Sequence, residues 1–237
     1  MNNECMIIPA RAPVSTRLSG DLGAWARRAH LRLRLALHDA RPRVRRAVDV
    51  VAAALALVVA APLLALAAIM IRLESAGPVF YRQVRVGHYG YLFNMYKLRT
   101  MYVGADAMKP KLTADGGESI RFKMKLDPRV TRVGRFLRKY SIDELPQIWN
   151  VLVGDMTLVG PRPAVVPEVE RYDARAVRRL EMKPGLTCLW QISGRSDLPF
   201  RKQLALDLEY IDRTTLIANL LVLVKTIPAV LTGRGAY

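Results

Sequence analysis

Asp143 and Glu144 are adjacent carboxylates in a chain of 237 residues that carries 37 Lys and Arg against 20 Asp and Glu, a formal charge of +17. They lie in the stretch Arg138 to Pro163, RKYSIDELPQIWNVLVGDMTLVGPRP. Arg138, Lys139 and Arg162 flank them, and the stretch closes on a rigid Gly-Pro-Arg-Pro. An acidic pair in a strongly basic field suits chemistry on phosphates. An ionised Asp is what nucleophilic attack at phosphorus needs. A neighbouring Glu could hold a divalent cation, because Mg2+ takes one or two carboxylates plus substrate phosphate oxygens. Without that cation or the arginines, a carboxylate and a pyrophosphate would repel each other.

Each of these residues also has a plainer reading. Ser141 to Glu144 fits the S-x-x-E capping box: Ser141 caps a helix, Glu144 returns the bond, and Asp143 merely suits the helix dipole. The two readings are compatible, because a helix N-terminus keeps a carboxylate ionised and attracts phosphate. Arg162, between two prolines, is either a solvated turn residue or an arginine held ready to clamp phosphate bidentately. Arg195 after Ser193-Gly194 admits the same two readings, as do Lys97 and Arg99. None of these segments is a Walker loop or a dinucleotide fingerprint.

The rest of the chain must position these groups. Hydrophobic content is 51%, enough for a core with apolar residues to spare. The basic balance points to anionic partners: nucleic acid, acidic lipid or phosphorylated small molecules. Cys5 and Cys188 are too few and too far apart for a disulfide framework or a metal cluster. His30, His38 and His88 show no ligand spacing and read as surface residues. MNNECMIIPARAP lacks a charged n-region followed by an apolar run, so it is not read as a signal peptide.

Residues 1–45 read as a basic extension, partly disordered or forming an interfacial helix over 21–39. Val50 to Ile71 then holds 22 residues with no charge and one proline, Pro62. A straight helix of that length reaches about 33 Å, enough to cross a hydrocarbon core. Yet both flanks are basic. Arg27 to Arg46 holds eight arginines against Asp39, and Arg72 to Arg99 holds five Lys and Arg against Glu74. Both ends therefore favour the cytoplasmic side. With a kink at Pro62, a re-entrant helix–break–helix over 46–74 is favoured over a spanning helix. Arg46 and Asp49, three apart, could pair on one helix face.

Beyond SAGP (75–78), alternation around Gly87–Gly90 predicts a hairpin, roughly 79–86 and 91–98. Residues 103–128 read as a polar loop with room for a short helix. Helices are expected over 129–140, over PEVERYDARAVRRLEMK (167–183) and over LPFRKQLALDLEYIDR (198–213). GLTCLWQISGR (185–195) reads as strand-like with a turn at Gly194. The last apolar segment, from Thr214, is interrupted by Lys225 and Pro228 and reads as core or, preferably, as interfacial.

Taken in order, these pieces resemble the bacterial sugar transferase family, the monotopic phosphoglycosyl transferases. The matching stretches are RAVD before the apolar segment with Pro62, SAGPVFYRQVRVG, YKLRTM, DPRVTRVGRFLRKYSIDELPQIWNVLVGDMTLVGPRP, KPGLTCLWQISGR and LDLEYI. The combination of DELPQ-x-x-NV, GDM, VGPRP and SGR is highly specific. The TGRGAY ending is most similar to stand-alone, exopolysaccharide-initiating members. The resemblance implies an α+β monotopic membrane protein: a kinked re-entrant helix broken at Pro62 (46–74) and a small cytoplasmic catalytic domain (75–237) with a β-hairpin and interfacial helices. It also implies transfer of a sugar 1-phosphate from a UDP-sugar to undecaprenyl phosphate at the bacterial inner membrane, releasing UMP. By that analogy Asp143 is the nucleophile that forms a phosphosugar-aspartyl intermediate, and Glu144 ligates Mg2+. Arg138, Arg162 and Arg195 bind phosphates, with Lys97 and Arg99 as weaker candidates. The partners implied are the donor, undecaprenyl phosphate and inner-membrane phospholipid, with no nucleic acid. A homo-oligomer is compatible with the sequence, which selects neither a sugar nor a pathway.

Two departures stand out. The residue before the helix-breaking proline, often Ser in relatives, is Ala61, and a position near the C-terminus that is often Asp is Asn219. Two rival readings compete with the enzyme: a nucleic-acid-binding protein, suggested by charge alone, and a single-pass membrane protein with a basic scaffold domain. The first leaves the apolar run unexplained and shows no nucleic-acid-binding signature.

Overall fold

A computed structural model describes residues 42–108, 127–233 and 235. The expected helix over 21–39 and most of the 103–128 loop lie outside the described residues. Helix α1 runs from Pro42 to Glu74, 33 residues or about 50 Å. Alanine, leucine and valine, uncharged over 22 residues, leave nothing in its middle to stop a helix. Asp49, Ala53, Ala60, Ala67 and Ile71 form a buried stripe at spacings of four and seven. The three small alanines let the helix lie close against the domain. The opposite face, with Val51, Leu55, Val58, Val59, Leu66 and Ile69, is exposed. The helix is long and apolar enough to cross a membrane.

The break expected at Pro62 is not found. The helix is continuous from residue 42 to 74 and Pro62 lies inside it. A proline deletes one rung of the hydrogen-bond ladder and crowds the carbonyl four residues back, but the rungs on either side remain.

Both ends of α1 are fastened to the same domain. Arg46 and Asp49 do so separately rather than as the pair their spacing suggested. Arg46 donates from Nη1 to the Val151 carbonyl and from Nη2 to that of Leu152, both at 2.6 Å. These are the last carbonyls of α3 (Gln147–Val153), where a cation also suits the helix dipole. Asp49 accepts from Thr157 Oγ1 at 2.7 Å and from the Leu158 amide at 3.2 Å. At the far end, Ala67 and Ile71 pack with Leu98 and Leu137. Glu74 accepts the amides of Arg132 (2.7 Å) and Val133 (3.0 Å), which open α2 (Arg132–Lys139).

The hairpin forms as predicted, β1 (Phe80–Val86) antiparallel to β2 (Leu92–Leu98), with Phe80 opposite Leu98 and Val86 opposite Leu92. Alternation sends Phe93 and Met95 to the core and sets Lys97 on their face. A second, parallel pair was not foreseen: β3 (Thr157–Val159) with β4 (Gly185–Thr187). GLTC is thus strand as read, but a short helix α5 (Leu189–Ile192) follows it before the Gly194 turn.

The single helix expected over 167–183 is replaced by a short α4 (Val166–Val169) and a 3-10 turn over Ala176–Glu181. Asp173 causes the division. Its carboxylate accepts the amides of Arg175 (3.1 Å) and Ala176 (2.7 Å), a local bond that competes with the helix. Helices α6 (Phe200–Arg213) and α7 (Leu216–Thr232) complete the chain. Asn219 Oδ1, uncharged, accepts from the hydroxyls of Tyr210 (2.7 Å) and Thr214 (3.3 Å) and so joins α7 to α6. On α7, Leu216, Leu220, Val224, Ile227 and Leu231 make an exposed apolar stripe.

Candidate active site

The acidic pair sits on a 3-10 turn, Ile142–Glu144, between α2 and α3. The capping box does not form. Ser141 is left-handed (φ 54°) and its side chain caps nothing, while α3 begins only at Gln147. The Ser141 hydroxyl instead accepts from Arg195 Nη2 at 3.2 Å. Glu144, the other half of the box, accepts on one oxygen, Oε1, from Lys97 Nζ at 2.7 Å and from Arg162 Nη2 at 3.0 Å. Burial alone would raise the Glu144 carboxyl. Arg162 and Lys97 outweigh it and hold the group well below the usual carboxylate range.

Asp143 goes the other way. It is buried, with 7% of its surface exposed. Burial pushes its carboxyl up to about 6, Lys97, Arg138 and Arg162 pull against that shift, and Glu144 adds to it. The expectation that a helix N-terminus keeps Asp143 ionised is therefore corrected. No helix starts there, and desolvation is the larger effect. Two adjacent carboxylates are driven apart, one firmly ionised and one poised near neutrality, because the two cations bond to Glu144 and not to Asp143.

Four of the five basic residues singled out in the sequence converge on the pair. Lys97 comes from β2, which Asn150 of α3 holds in place. Asn150 Oδ1 accepts the Tyr96 amide (3.1 Å) and Nδ2 donates to the Asn94 carbonyl (2.8 Å). Arg162 follows β3, and its guanidinium lies 5.8 Å from the centre of the Trp190 ring. Arg138, on the last turn of α2, donates from Nε to Thr100 Oγ1 at 2.9 Å and feels the Asp143 charge. Arg195 is left-handed (φ 53°), as is its partner Ser141. A non-glycine residue held there costs roughly 1 kcal/mol, a strain typical of functional sites. Arg195 Nη1 is buried and has no hydrogen-bond partner among the described residues.

Arg99 does not join them. It donates from Nη2 to the Ser75 carbonyl (2.7 Å) and from Nη1 to that of Ala76 (2.5 Å), and so secures the exit of α1. Pro62 is likewise remote in role, inside α1. Two elements escaped the sequence reading. One is Asn150. The other is a cluster behind Arg162, made by the buried charges Glu168, Arg179 and Asp207 and the half-buried Tyr172. The three charged members look like ordinary surface charges in the sequence, and only their lack of exposure reveals them.

The donor set suits Mg2+. Among the described residues no group of three or more His, Cys, Asp or Glu could hold a metal ion, and the carboxylates of this turn are Asp143 and Glu144. That is what Mg2+ uses when a phosphate supplies further oxygens. Glu144, the firmly ionised member, would hold it, and the ion would neutralise phosphate charge.

The family model described as bacterial sugar transferase matches residues 40–233. The chain is 44% identical over 198 residues to the exopolysaccharide production protein ExoY of Rhizobium meliloti, an alignment that covers 81% of this chain and 88% of the relative. It is 43% identical over 201 residues to the UDP-glucose:undecaprenyl-phosphate glucose-1-phosphate transferase of Caulobacter vibrioides, covering 81% and 72%. It is 41% identical over 199 residues to the undecaprenyl-phosphate galactose phosphotransferase of Salmonella typhimurium, covering 82% of this chain and 42% of that longer protein. A buried Asp143 beside a half-buried Glu144, with Lys97, Arg138, Arg162 and Arg195 around them, on a domain fastened to a long apolar helix, is thus what this match spans, and the chain belongs to the bacterial sugar transferase family.

Proposed function

We propose that this protein transfers a sugar 1-phosphate from a UDP-hexose to undecaprenyl phosphate, the initiating step of exopolysaccharide assembly, through a covalent intermediate on Asp143. A carboxylate oxygen of Asp143 attacks the β-phosphorus. The bond from that phosphorus to the bridging oxygen breaks, and UMP leaves with the electron pair. A phosphate oxygen of undecaprenyl phosphate then attacks the same phosphorus, and Asp143 departs as carboxylate. Arg195, Arg138 and Arg162 hold the phosphates, and Lys97 and Arg162 keep Glu144 in place. The buried Nη1 donor of Arg195 beside the acidic pair, without a partner among the described residues, is the observation that carries this reading. A buried donor left unmade is costly, and a phosphate oxygen would satisfy it.

Purified enzyme mixed with UDP-hexose and Mg2+, without acceptor, should release at most one UMP per chain and gain the mass of one phosphohexose on the peptide that contains Asp143. The burst should quicken as pH rises through about 6, where the buried Asp143 ionises. No burst and no adduct, with turnover intact once acceptor is added, would sink the covalent mechanism. A panel of UDP-sugars in the same assay selects the donor.

The reading places α1 in the cytoplasmic leaflet of the inner membrane as a re-entrant element, with α7 at the interface. Support comes from the attachment of both ends of α1 to one domain and from the exposed apolar faces of the two helices. A crossing would put those two ends, and the residues that hold them, on opposite sides of the bilayer. Single cysteines at the exposed positions Val44 and Leu73 should both react with an impermeant thiol reagent from the cytoplasmic side. Labelling from opposite sides would overturn the re-entrant topology.

A further inference from the structure

Arg162 stands between two prolines, and the carbonyls of its segment are held by three parts of the domain: β4, β1 and the 176–181 turn. The Pro161 carbonyl accepts the Gly185 amide of β4 (2.9 Å), and that of Ala164 accepts the Val86 amide of β1 (2.9 Å). The Pro163 carbonyl accepts from Arg85 Nη1 at 3.0 Å. The carbonyl of Arg162 itself accepts from Arg179 Nη2 at 3.2 Å.

Arg179 is only 4% exposed. A lone guanidinium at that depth would be prohibitively costly. It is compensated by Glu168, whose Oε1 lies 3.0 Å from Nη1, and by Asp207, whose Oδ2 lies 2.9 Å from Nη2. Tyr172 closes the cluster. Its hydroxyl lies 2.8 Å from Glu168 Oε1, and its ring centre is 5.6 Å from the Arg179 guanidinium. Three buried charges are thus assembled from α4, the 176–181 turn and α6 directly behind the residue that grips Glu144.

We propose that Arg179 is a positioning residue for sugar-phosphate transfer. It fixes the peptide plane of Arg162 so that its guanidinium is presented to Glu144 and to substrate phosphate. The proposal rests on Arg162 serving the acidic pair as described above. A planar fork with several donors is required, because one face must meet two carboxylates and another a carbonyl; an ammonium keeps the charge and loses the fork.

The test is a double-mutant cycle on the full chain in detergent or vesicles, with UMP release from UDP-hexose and undecaprenyl phosphate as readout. Arg179→Lys should lower kcat about tenfold, with the donor KM changed less than twofold. In an Arg162→Ala background the same substitution should change kcat less than twofold, because the side chain it positions is gone. Tyr172→Phe, which keeps the Arg179 guanidinium but removes the hydroxyl that accepts from its Nη1, should fall between wild type and Arg179→Lys. If Arg179→Lys does not fold, Glu168→Gln enters the cycle in its place with the same expected pattern. An equal fall in both backgrounds would mean that Arg179 is merely structural and would overturn the proposal. Full activity of Arg162→Ala alone would overturn the role given to Arg162 and the proposal with it.

Discussion

Asp143→Asn should abolish UMP release, by at least about 10³-fold, while making the protein more resistant to heat at neutral pH. An amide cannot attack phosphorus, so neither adduct nor turnover should survive. The gain in stability follows from burial. The folded carboxyl titrates near 6 against an ordinary value of 3.8. Between those values the folded state binds more protons than the unfolded chain. Stability therefore falls as pH rises through that window, and the whole penalty is present above about 6. Asparagine fills nearly the same space without the charge and escapes the penalty. The melting-temperature gap between variant and wild type should be widest at pH 7 and close below about pH 4. Near-wild-type turnover would remove Asp143 as nucleophile. An unchanged or lower melting temperature at pH 7 would mean that the neighbouring Lys97, Arg138 and Arg162 stabilise the charge more than burial opposes it.

Gly185→Ala should be the most damaging small substitution. A Cβ on Gly185 would lie 2.0 Å from the Gly160 nitrogen, 2.5 Å from its carbonyl oxygen and 2.6 Å from its Cα. All three are backbone atoms and none can rotate away. Strands β3 and β4 would have to part, straining the bonds from Thr157 N to the Pro184 carbonyl, from Gly160 N to that of Thr187 and from Gly185 N to that of Pro161. A cost of about 3 kcal/mol or more is expected, a fall of roughly 6–12 °C in melting temperature for a chain of this size. Activity should fall further than stability, because Pro161 leads directly into Arg162. Gly90→Ala is the control. Gly90 has a positive φ of 86° but open space around it, so it should lose only about 1 kcal/mol. A Gly185→Ala protein that melts within about 2 °C of wild type would show that the two strands can separate without harm.

The hairpin was legible because strand alternation and a glycine turn are properties of neighbouring residues. The acidic pair was legible by contrast with its basic surroundings. Arg99 shows where such reading stops. It is two residues from Lys97 and equally basic, yet Lys97 reaches Glu144 while Arg99 turns to the carbonyls of Ser75 and Ala76. Nothing local separates them; the exit of α1 lies beside one and the acidic pair beside the other. The 167–183 segment failed similarly. Its helical composition gave way to the Asp173 turn and to the charges gathered around Arg179.

What the sequence by itself determined is the chemistry on offer: two carboxylates, a set of cations and an apolar segment with basic flanks. Those follow from composition and from spacing along the chain. Tertiary structure decided which carboxylate stays ionised and which arginines serve it. Protonation depends on desolvation, and pairing on residues far apart in sequence: Lys97 is 47 positions from Glu144 and Arg162 is 18. Only the packing of β2 and the GPRP segment around the 142–144 turn puts both cations on Glu144 and leaves Asp143 buried without them.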